Sequence, residues 1–102
     1  MPTSRDILNE TAYGGVPIGS HTQTAAISAA TAIAVPKGAR YILIQCATQN
    51  VRITFDGTTT PTATVGFLIV AAAAPQKYYV QGCTIQVIEV GATAKLDYQF
   101  FA

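Results

Sequence analysis

The stretch from Val35 to Gly66 constrains the fold most strongly, because two alternating segments are followed there by residues that form turns. In the second segment, 51–56, apolar residues occupy the odd positions and polar residues the even ones. Successive side chains of a strand point to opposite faces, so this period of two predicts a half-buried β-strand. Asp56-Gly57 is predicted to end that strand in a turn, since glycine adopts positive φ and aspartate bonds to its own turn.

The first segment, 40–48, is apolar on both of its faces. This predicts a central strand, or one whose outer face meets a partner. Because only a short connection, 47–50, precedes the next strand, the two strands are predicted to form a hairpin. The residues expected to face the core are Ile42, Ile44, Cys46, Val51, Ile53 and Phe55.

Further candidate strands lie at 24–35, 65–74, 77–81, 83–90 and 94–101. The alanine-rich segment 24–35 favours a helix by propensity, but its alternation and the proline after it favour one or two strands. Seven or eight short strands at a spacing of roughly 8–12 residues are typical of a sandwich or barrel. We therefore predict an all-β domain, a single small β-sandwich with jelly-roll-like or Greek-key topology.

Ahead of the predicted sandwich domain at 24–102, residues 1–23 are predicted to form an extended N-terminal arm. Glycine and proline residues break any regular pattern in this segment. The arm nevertheless carries apolar residues that need cover, so we expect it to lie along its own sandwich or along a neighbouring subunit. These candidate contacts are Ile7, Leu8, Tyr13, Val16 and Ile18.

Charged residues make up only 11% of the chain, below the ~25% of an average soluble domain. Such a surface is either covered by other subunits or simply threonine-rich through strand propensity. The six Lys and Arg residues are scattered, so no nucleic-acid partner is predicted. The longest apolar run, 65–74, is too short for the ~20 residues that span a bilayer, and the first ten residues contain no secretory signal. We expect no membrane partner and synthesis in the cytoplasm of the producing cell.

The residue types that carry catalysis or bind metals occur singly along the chain. His21 is the only histidine, and the adjacent Ser20 side chain diverges from it, so a surface histidine is the simpler interpretation. Cys46 and Cys83 have no metal-ligand spacing. They are predicted to be buried free thiols, with a bridge across the sandwich as the alternative. No enzyme, cofactor or metal site is predicted.

Aromatic residues cluster toward the C-terminus, at Tyr78, Tyr79, Tyr98, Phe100 and Phe101. They either fill the core at alternate positions or form a platform for a sugar or a partner protein. The loop after Asp56 is longer than a turn requires, which makes it the other candidate for a partner contact. Its candidate residues are Thr58, Thr59, Thr60, Pro61 and Thr62.

The pattern VPKGARY-ILIQ, VRITFDGTTTPTATVGF and IQVIEVGATAKLDYQFF resembles a family of small structural proteins of tailed-bacteriophage virions. The resemblance covers about Thr31 to Phe101 and departs from the family in an additional threonine before Pro61. The matching residues are Val35, Pro36, Gly38, Ala39, Ile44, Gln45, Val51, Arg52, Asp56, Gly57, Thr58, Pro61, Thr62, Gly66, Ile88, Glu89, Val90, Leu96 and Tyr98.

The resemblance implies a non-enzymatic structural component of the virion, a capsid decoration or cement protein at the capsid surface. The expected partners are the major capsid protein of the shell and further copies of this chain, in a homotrimer on a three-fold axis. Two alternatives remain at this point: a tail, neck or fibre-base module, and a carbohydrate-binding adhesion domain that uses Tyr78, Tyr79 or the threonine-rich loop.

Overall fold

The chain folds as one long antiparallel hairpin that is rolled into two sheets. The computed structural model describes residues 15–102, which form eight strands in two four-stranded sheets. The strands are β1 (Pro17–Thr24), β2 (Thr31–Ile33), β3 (Tyr41–Ala47), β4 (Val51–Thr54), β5 (Phe67–Ile69), β6 (Gln76–Tyr79), β7 (Ile85–Glu89) and β8 (Lys95–Phe101).

The strand order is β1-β8-β3-β6 in the first sheet and β2-β7-β4-β5 in the second. Each of the first four strands thus pairs with one of the last four in reverse order, β1 with β8 through to β4 with β5, always antiparallel. This is the jelly-roll arrangement, in which a long hairpin is folded over so that its two halves enclose a core. The predicted all-β sandwich is confirmed, and the tip of the hairpin is the connection between β4 and β5.

The core lies between the two sheets and takes alternate side chains from their inner strands. Successive residues of β3 alternate between buried and half-buried, with Ile42, Ile44 and Cys46 on the buried side. The paired strands supply Val51 and Ile53 from β4, Ile85 and Val87 from β7, and Leu96 and Phe100 from β8. The residues predicted to face the core do so, although Phe55 is only partly buried.

The predicted hairpin of β3 with β4 is wrong. β3 lies in the first sheet and β4 in the second, so residues 48–50 cross from one sheet to the other. Both strands bury an apolar face, and they bury it from opposite sides of the same core. The crossing is held by Asn50, whose backbone carbonyl accepts from the Val90 N–H at 2.8 Å and whose side chain accepts from the Ala71 N–H at 2.8 Å.

The predicted boundary of the arm at residue 23 is also wrong, because Pro17–Thr24 is strand β1 of the sandwich. β1 satisfies the backbone hydrogen-bonding groups along one side of β8, in a register that runs from Pro17 opposite Phe101 to Thr24 opposite Leu96. A bulge interrupts this register between Ile18 and Thr22. The rest of the predicted arm, apart from residues 15 and 16, lies outside the described residues.

Other predicted strands are shorter than expected. Within 65–74 only β5 forms, and within 24–35 only the end of β1 and the three-residue β2. Ala72 adopts a φ of 62°, which ends any extension of β5 in a turn. Both thiols are free, as predicted, and Cys46 is buried. The prediction of a buried Cys83 within a strand is wrong, because Cys83 lies in the turn before β7 and is half-buried.

Truncating Leu96 to alanine should lower the free energy of unfolding by ~2–5 kcal/mol, because its side chain is fully buried between the sheets. Urea denaturation followed by circular dichroism measures this change. Leu68→Ala is the matched control: Leu68 is 42% exposed, so its loss should cost less than ~1 kcal/mol. Equal losses for the two variants would contradict the assignment of the core.

The two thiols should react with a disulfide reagent at very different rates. Burial raises the pKa of the Cys46 thiol, whose Sγ also donates to the Ile69 carbonyl at 3.2 Å, so it has little reactive thiolate. Cys83 should react in the native protein and Cys46 only after unfolding. A Cys83→Ser variant that reacts rapidly in the absence of denaturant would overturn this expectation.

Candidate functional site

The tip of the rolled hairpin is fixed by the side chain of Asp56. Its Oδ1 accepts hydrogen bonds from the backbone N–H groups of Thr58, at 3.1 Å, and Thr59, at 2.9 Å, while its Oδ2 accepts from the Thr59 hydroxyl at 2.7 Å. The Thr59 hydroxyl is the largest cause of a lowered pKa for Asp56, about 2, and the two backbone N–H groups add to it. The carboxylate is therefore ionised at neutral pH.

The threonine-rich loop, residues 58–64, folds back on β4 instead of projecting from it. The Thr54 hydroxyl donates to the Thr59 carbonyl at 3.0 Å. The Arg52 guanidinium donates to the Gly66 carbonyl at 3.0 Å and to the Ala63 carbonyl at 3.4 Å. Side chains of β4 thus hold both ends of the loop, and the interior of the loop is closed by its own hydrogen bonds, with the Thr62 hydroxyl accepting from the Val65 N–H at 3.0 Å.

A cleft of about 360 Å³ opens between this loop and β5, and we call it the tip cleft. Its walls are aromatic on one side and polar on the other. The centroids of the Phe55 and Phe67 rings lie 6.0 Å apart, and Phe55 in turn packs against Tyr78 at 5.2 Å, which fixes its orientation. The lining residues are Thr54, Phe55, Asp56, Thr59, Gly66 and Phe67.

Next to the cleft, exposed apolar side chains lie on both faces around the edge strand β5, and we call Val65, Phe67, Leu68 and Val70 the β5 patch. Phe67 lies opposite Ile53 and Leu68 opposite Arg52, so these two side chains point to opposite faces of the sheet. The exposed fraction is 65% for Phe67 and between 42% and 50% for the other three. β5 is an edge strand, paired only with β4, so one side of its backbone is also open. Exposed apolar groups clustered on one edge are typical of an interaction surface.

Of the loop residues predicted to contact a partner, some are exposed and others are buried. Thr58, Thr60 and Thr62 are exposed and available to a partner, and Thr59 is half-buried against Asp56. Pro61 is fully buried, so its prediction as a partner contact is wrong. A proline cannot donate to a strand ladder, but its apolar ring is well suited to fill the space under a loop that folds back.

The arm residues predicted to contact a partner also differ in their exposure. Val16 is 68% exposed, just ahead of β1. Ile18 packs against the core of its own sandwich, which corrects its prediction as a contact to a partner. Ile7, Leu8 and Tyr13 lie outside the described residues.

A second candidate surface lies on the outer face of the first sheet. Tyr79 is 56% exposed and meets Tyr41 edge-on at 5.5 Å, and the Lys77 ammonium lies 4.9 Å from the centre of the Tyr41 ring. Farther along this face, His21 Nε2 lies 3.0 Å from Asp97 Oδ1, and this hydrogen bond is the largest cause of a lowered Asp97 pKa. His21 is a surface residue, as predicted.

A shallow hollow of about 70 Å³ lies at the His21–Asp97 end of that face. The hollow is lined by His21, Leu43, Ile44, Gln45, Pro75, Asp97 and Gln99. Within residues 15–102, His, Cys, Asp and Glu side chains do not come together in any group of three or more that could hold a metal ion.

The sequence did not predict that Phe67 lines a cleft or that Arg52 holds the loop. Phe67 follows the loop directly in a segment predicted to be a long strand, where alternation alone gives no sign that the strand is short and at an edge. Arg52 alternates outward from β4 as predicted, but its bonds to Ala63 and Gly66 depend on the loop folding back. The one feature of the sequence that could have indicated these bonds is an arginine that precedes a long loop of small polar residues.

Comparison with protein-family models, with curated proteins and with solved structures found no match to this chain. In residues 15–102, no helix has the length and the apolar character that crossing a membrane would require.

Replacing Asp56 with asparagine should remove a pH-dependent part of the stability. The Asp56 pKa is about 2 in the folded protein, below the 3.8 of an unperturbed aspartate, so the unfolded state binds more protons between these values. The stabilisation is therefore present above about pH 4 and is lost as the pH falls toward 2. Thermal unfolding between pH 2 and 6 should show a smaller fall in midpoint for Asp56→Asn than for the wild type. Glu89→Gln is the control, and an equal flattening by that variant would contradict the assignment.

Proposed function

We propose that this protein is a non-enzymatic structural component of a bacteriophage virion, a decoration or cement protein that stabilises the head shell. Its partners would be the major capsid protein and further copies of itself. The observation that carries the proposal is the β5 patch, a cluster of exposed apolar side chains on the edge of a rigid sandwich. Its location on the capsid surface follows from the same proposal.

The chemistry of the β5 patch suits a permanent protein contact. Phe67 alone exposes most of an aromatic side chain, and aromatic residues are enriched among those that dominate binding energy. The side chain packs against the Phe55 ring, which in turn packs against Tyr78, so little conformational freedom is lost when a partner covers it. The low content of charged residues, 11%, reduces the cost of removing water from such a contact.

The fold and the sequence resemblance support the same class of function. Jelly-roll sandwiches are common in viral capsid proteins and in lectins, although a fold by itself does not determine function. The turn and strand residues that resemble those of phage structural proteins, such as Asp56, Gly57 and Arg52, are here the residues that build the tip. Binding of each copy can be weak, because linked copies on a symmetric shell raise the effective concentration. We propose a homotrimer for this reason.

A carbohydrate-binding role is the second candidate, and the outer face of the first sheet favours it. Tyr79 offers an exposed ring on which a sugar could stack, and Gln45, Asp97 and Gln99 border a hollow nearby. This face has less depth than the tip cleft, and Asp97 already accepts hydrogen bonds from the Gln23 amide as well as contacting His21. The docking role is therefore the better supported of the two.

The variant Phe67→Ser tests the proposal in a co-sedimentation assay with empty heads assembled from the cognate major capsid protein. The wild-type chain should bind at a stoichiometry that matches the symmetry of the whole shell. Removing an exposed aromatic anchor should weaken binding by ~10-fold or more. Light scattering of the free chain measures its oligomeric state in the same preparation.

The matched control is Tyr79→Ser, which removes an exposed aromatic residue from the outer face of the first sheet and should bind shells as the wild type does. Binding at only a few copies per particle would indicate the tail, neck or fibre base instead. Saturable binding to a glycan, lost in Tyr79→Ser and kept in Phe67→Ser, would replace the proposal with the carbohydrate-binding role.

A further inference from the structure

We infer that the tip cleft binds a primary alkylammonium group, the side chain of a lysine on a partner protein. The inference deepens the proposed docking role, and it rests on that role only in assigning the ammonium to a protein. The cleft brings together three features that suit such a group: a fixed carboxylate, two aromatic rings and a volume large enough for a side chain.

The hydrogen bonds of Asp56 limit which cation can bind. A carboxylate has about four lone-pair sites. Two on Oδ1 are occupied by the Thr58 and Thr59 N–H groups and one on Oδ2 by the Thr59 hydroxyl, which leaves one on Oδ2. A guanidinium that pairs through both oxygens would need to displace one of these donors, whereas an ammonium needs a single acceptor.

The aromatic walls suit both parts of a lysine side chain. Cations bind to the face of an aromatic ring at up to ~6 Å from its centre. Phe55 and Phe67 both line the cleft, and because their centroids lie only 6.0 Å apart, the ammonium would lie over the ring faces and not between them. Phe67 is exposed over most of its surface, so the methylene groups of the incoming side chain can cover it. The volume of about 360 Å³ lies within the ~300–1,000 Å³ of ligand sites, so it is large enough to admit a lysine side chain.

Asp56 is the one charged residue among those that line the cleft, although Arg52 bonds to the lining residue Gly66. The Asp56 carboxylate is ionised throughout the physiological range, as any unperturbed aspartate is, and the hydrogen bonds that orient it lower its pKa further, to about 2. The Arg52 side chain points to the opposite face of β4 from Ile53, and its guanidinium donates to the Ala63 and Gly66 carbonyls. Its charge weakens the attraction, so we expect a Kd in the ~10–100 mM range for an isolated lysine side chain.

Nuclear magnetic resonance with the full chain tests the inference directly. The probe is Nα-acetyl-lysine N-methylamide, titrated into ¹⁵N-labelled protein. We expect saturable amide shifts at Asp56, Thr59, Gly66 and Phe67. The matched neutral probe, Nα-acetyl-norleucine N-methylamide, should bind at least ~5-fold more weakly, because it keeps the methylene groups and lacks the charge. The corresponding arginine probe should also bind more weakly than lysine.

Two variants address the two halves of the site. Asp56→Asn removes the charge and keeps an acceptor oxygen for the Thr58 and Thr59 N–H groups, so it should abolish the preference for lysine over norleucine while the strand amides stay unshifted. Phe67→Leu keeps an apolar wall without a π face and should reduce lysine binding several-fold. Asp97→Asn, which removes a carboxylate from the other sheet, should leave the shifts at the cleft unchanged.

Equal binding of the lysine and norleucine probes, or equal effects of Asp56→Asn and Asp97→Asn, would overturn the inference. So would saturable binding of a neutral methyl glycoside at the same amides in the absence of a response to lysine. The outcome is separable from the shell assay. If the probe binds and the wild-type chain does not bind shells, the cleft is an ammonium site and the docking role fails; if shells bind and the probe gives no shifts, the docking role stands and this inference fails.

Discussion

The pairing of the first four strands with the last four in reverse order is the constraint on which the rest of the structure depends. Each sheet contains two of the first four strands and two of the last four, so neither sheet can be completed until segments distant in the sequence have paired. The core is then the set of alternate side chains that this pairing turns inward, Ile42, Ile53, Val87 and Leu96 among them. It also leaves one place, the turn from β4 to β5, where the hairpin must reverse.

That reversal is stabilised by charge as well as by backbone geometry. Asp56 closes the turn through three hydrogen bonds, and Arg52 holds the returning loop by two carbonyls. These bonds turn a threonine-rich segment into a rigid wall beside β5. The exposed Phe67 ring is consequently presented on a fixed base, which is the property that a docking surface requires.

The sequence allowed some of this to be predicted and not the rest, for physical reasons. The period of two identified Ile42, Ile44, Cys46, Val51 and Ile53 as core, because burial on one face is a local property of a strand. The crossing between sheets at 48–50 could not be distinguished from a hairpin, since a connection of that length serves either. β1 was missed because its stability comes from β8, at the far end of the chain. At the tip, the turn at Asp56-Gly57 was predictable, whereas the burial of Pro61 and the bonds of Arg52 exist only once the loop has folded back.

The pairing of β1 with β8 has a practical consequence for anyone who wishes to attach something to this molecule. The Ala102 N–H donates to the Val16 carbonyl at 2.8 Å, so residues 16 and 102 lie side by side. They lie beside β1, the edge of the first sheet opposite β6, while the aromatic rings of Phe67, Phe55 and Tyr78 join the β5 edge of the second sheet to the β6 edge of the first. Tyr41 lies opposite Phe101 on one side and Tyr79 on the other, so a fluorophore attached at residue 102 would lie about two strand spacings, ~10 Å, from β6 and at the same end of the sheet as Tyr79. A label at this corner would therefore be close enough to sense a partner that covers the Tyr78 and Phe55 rings.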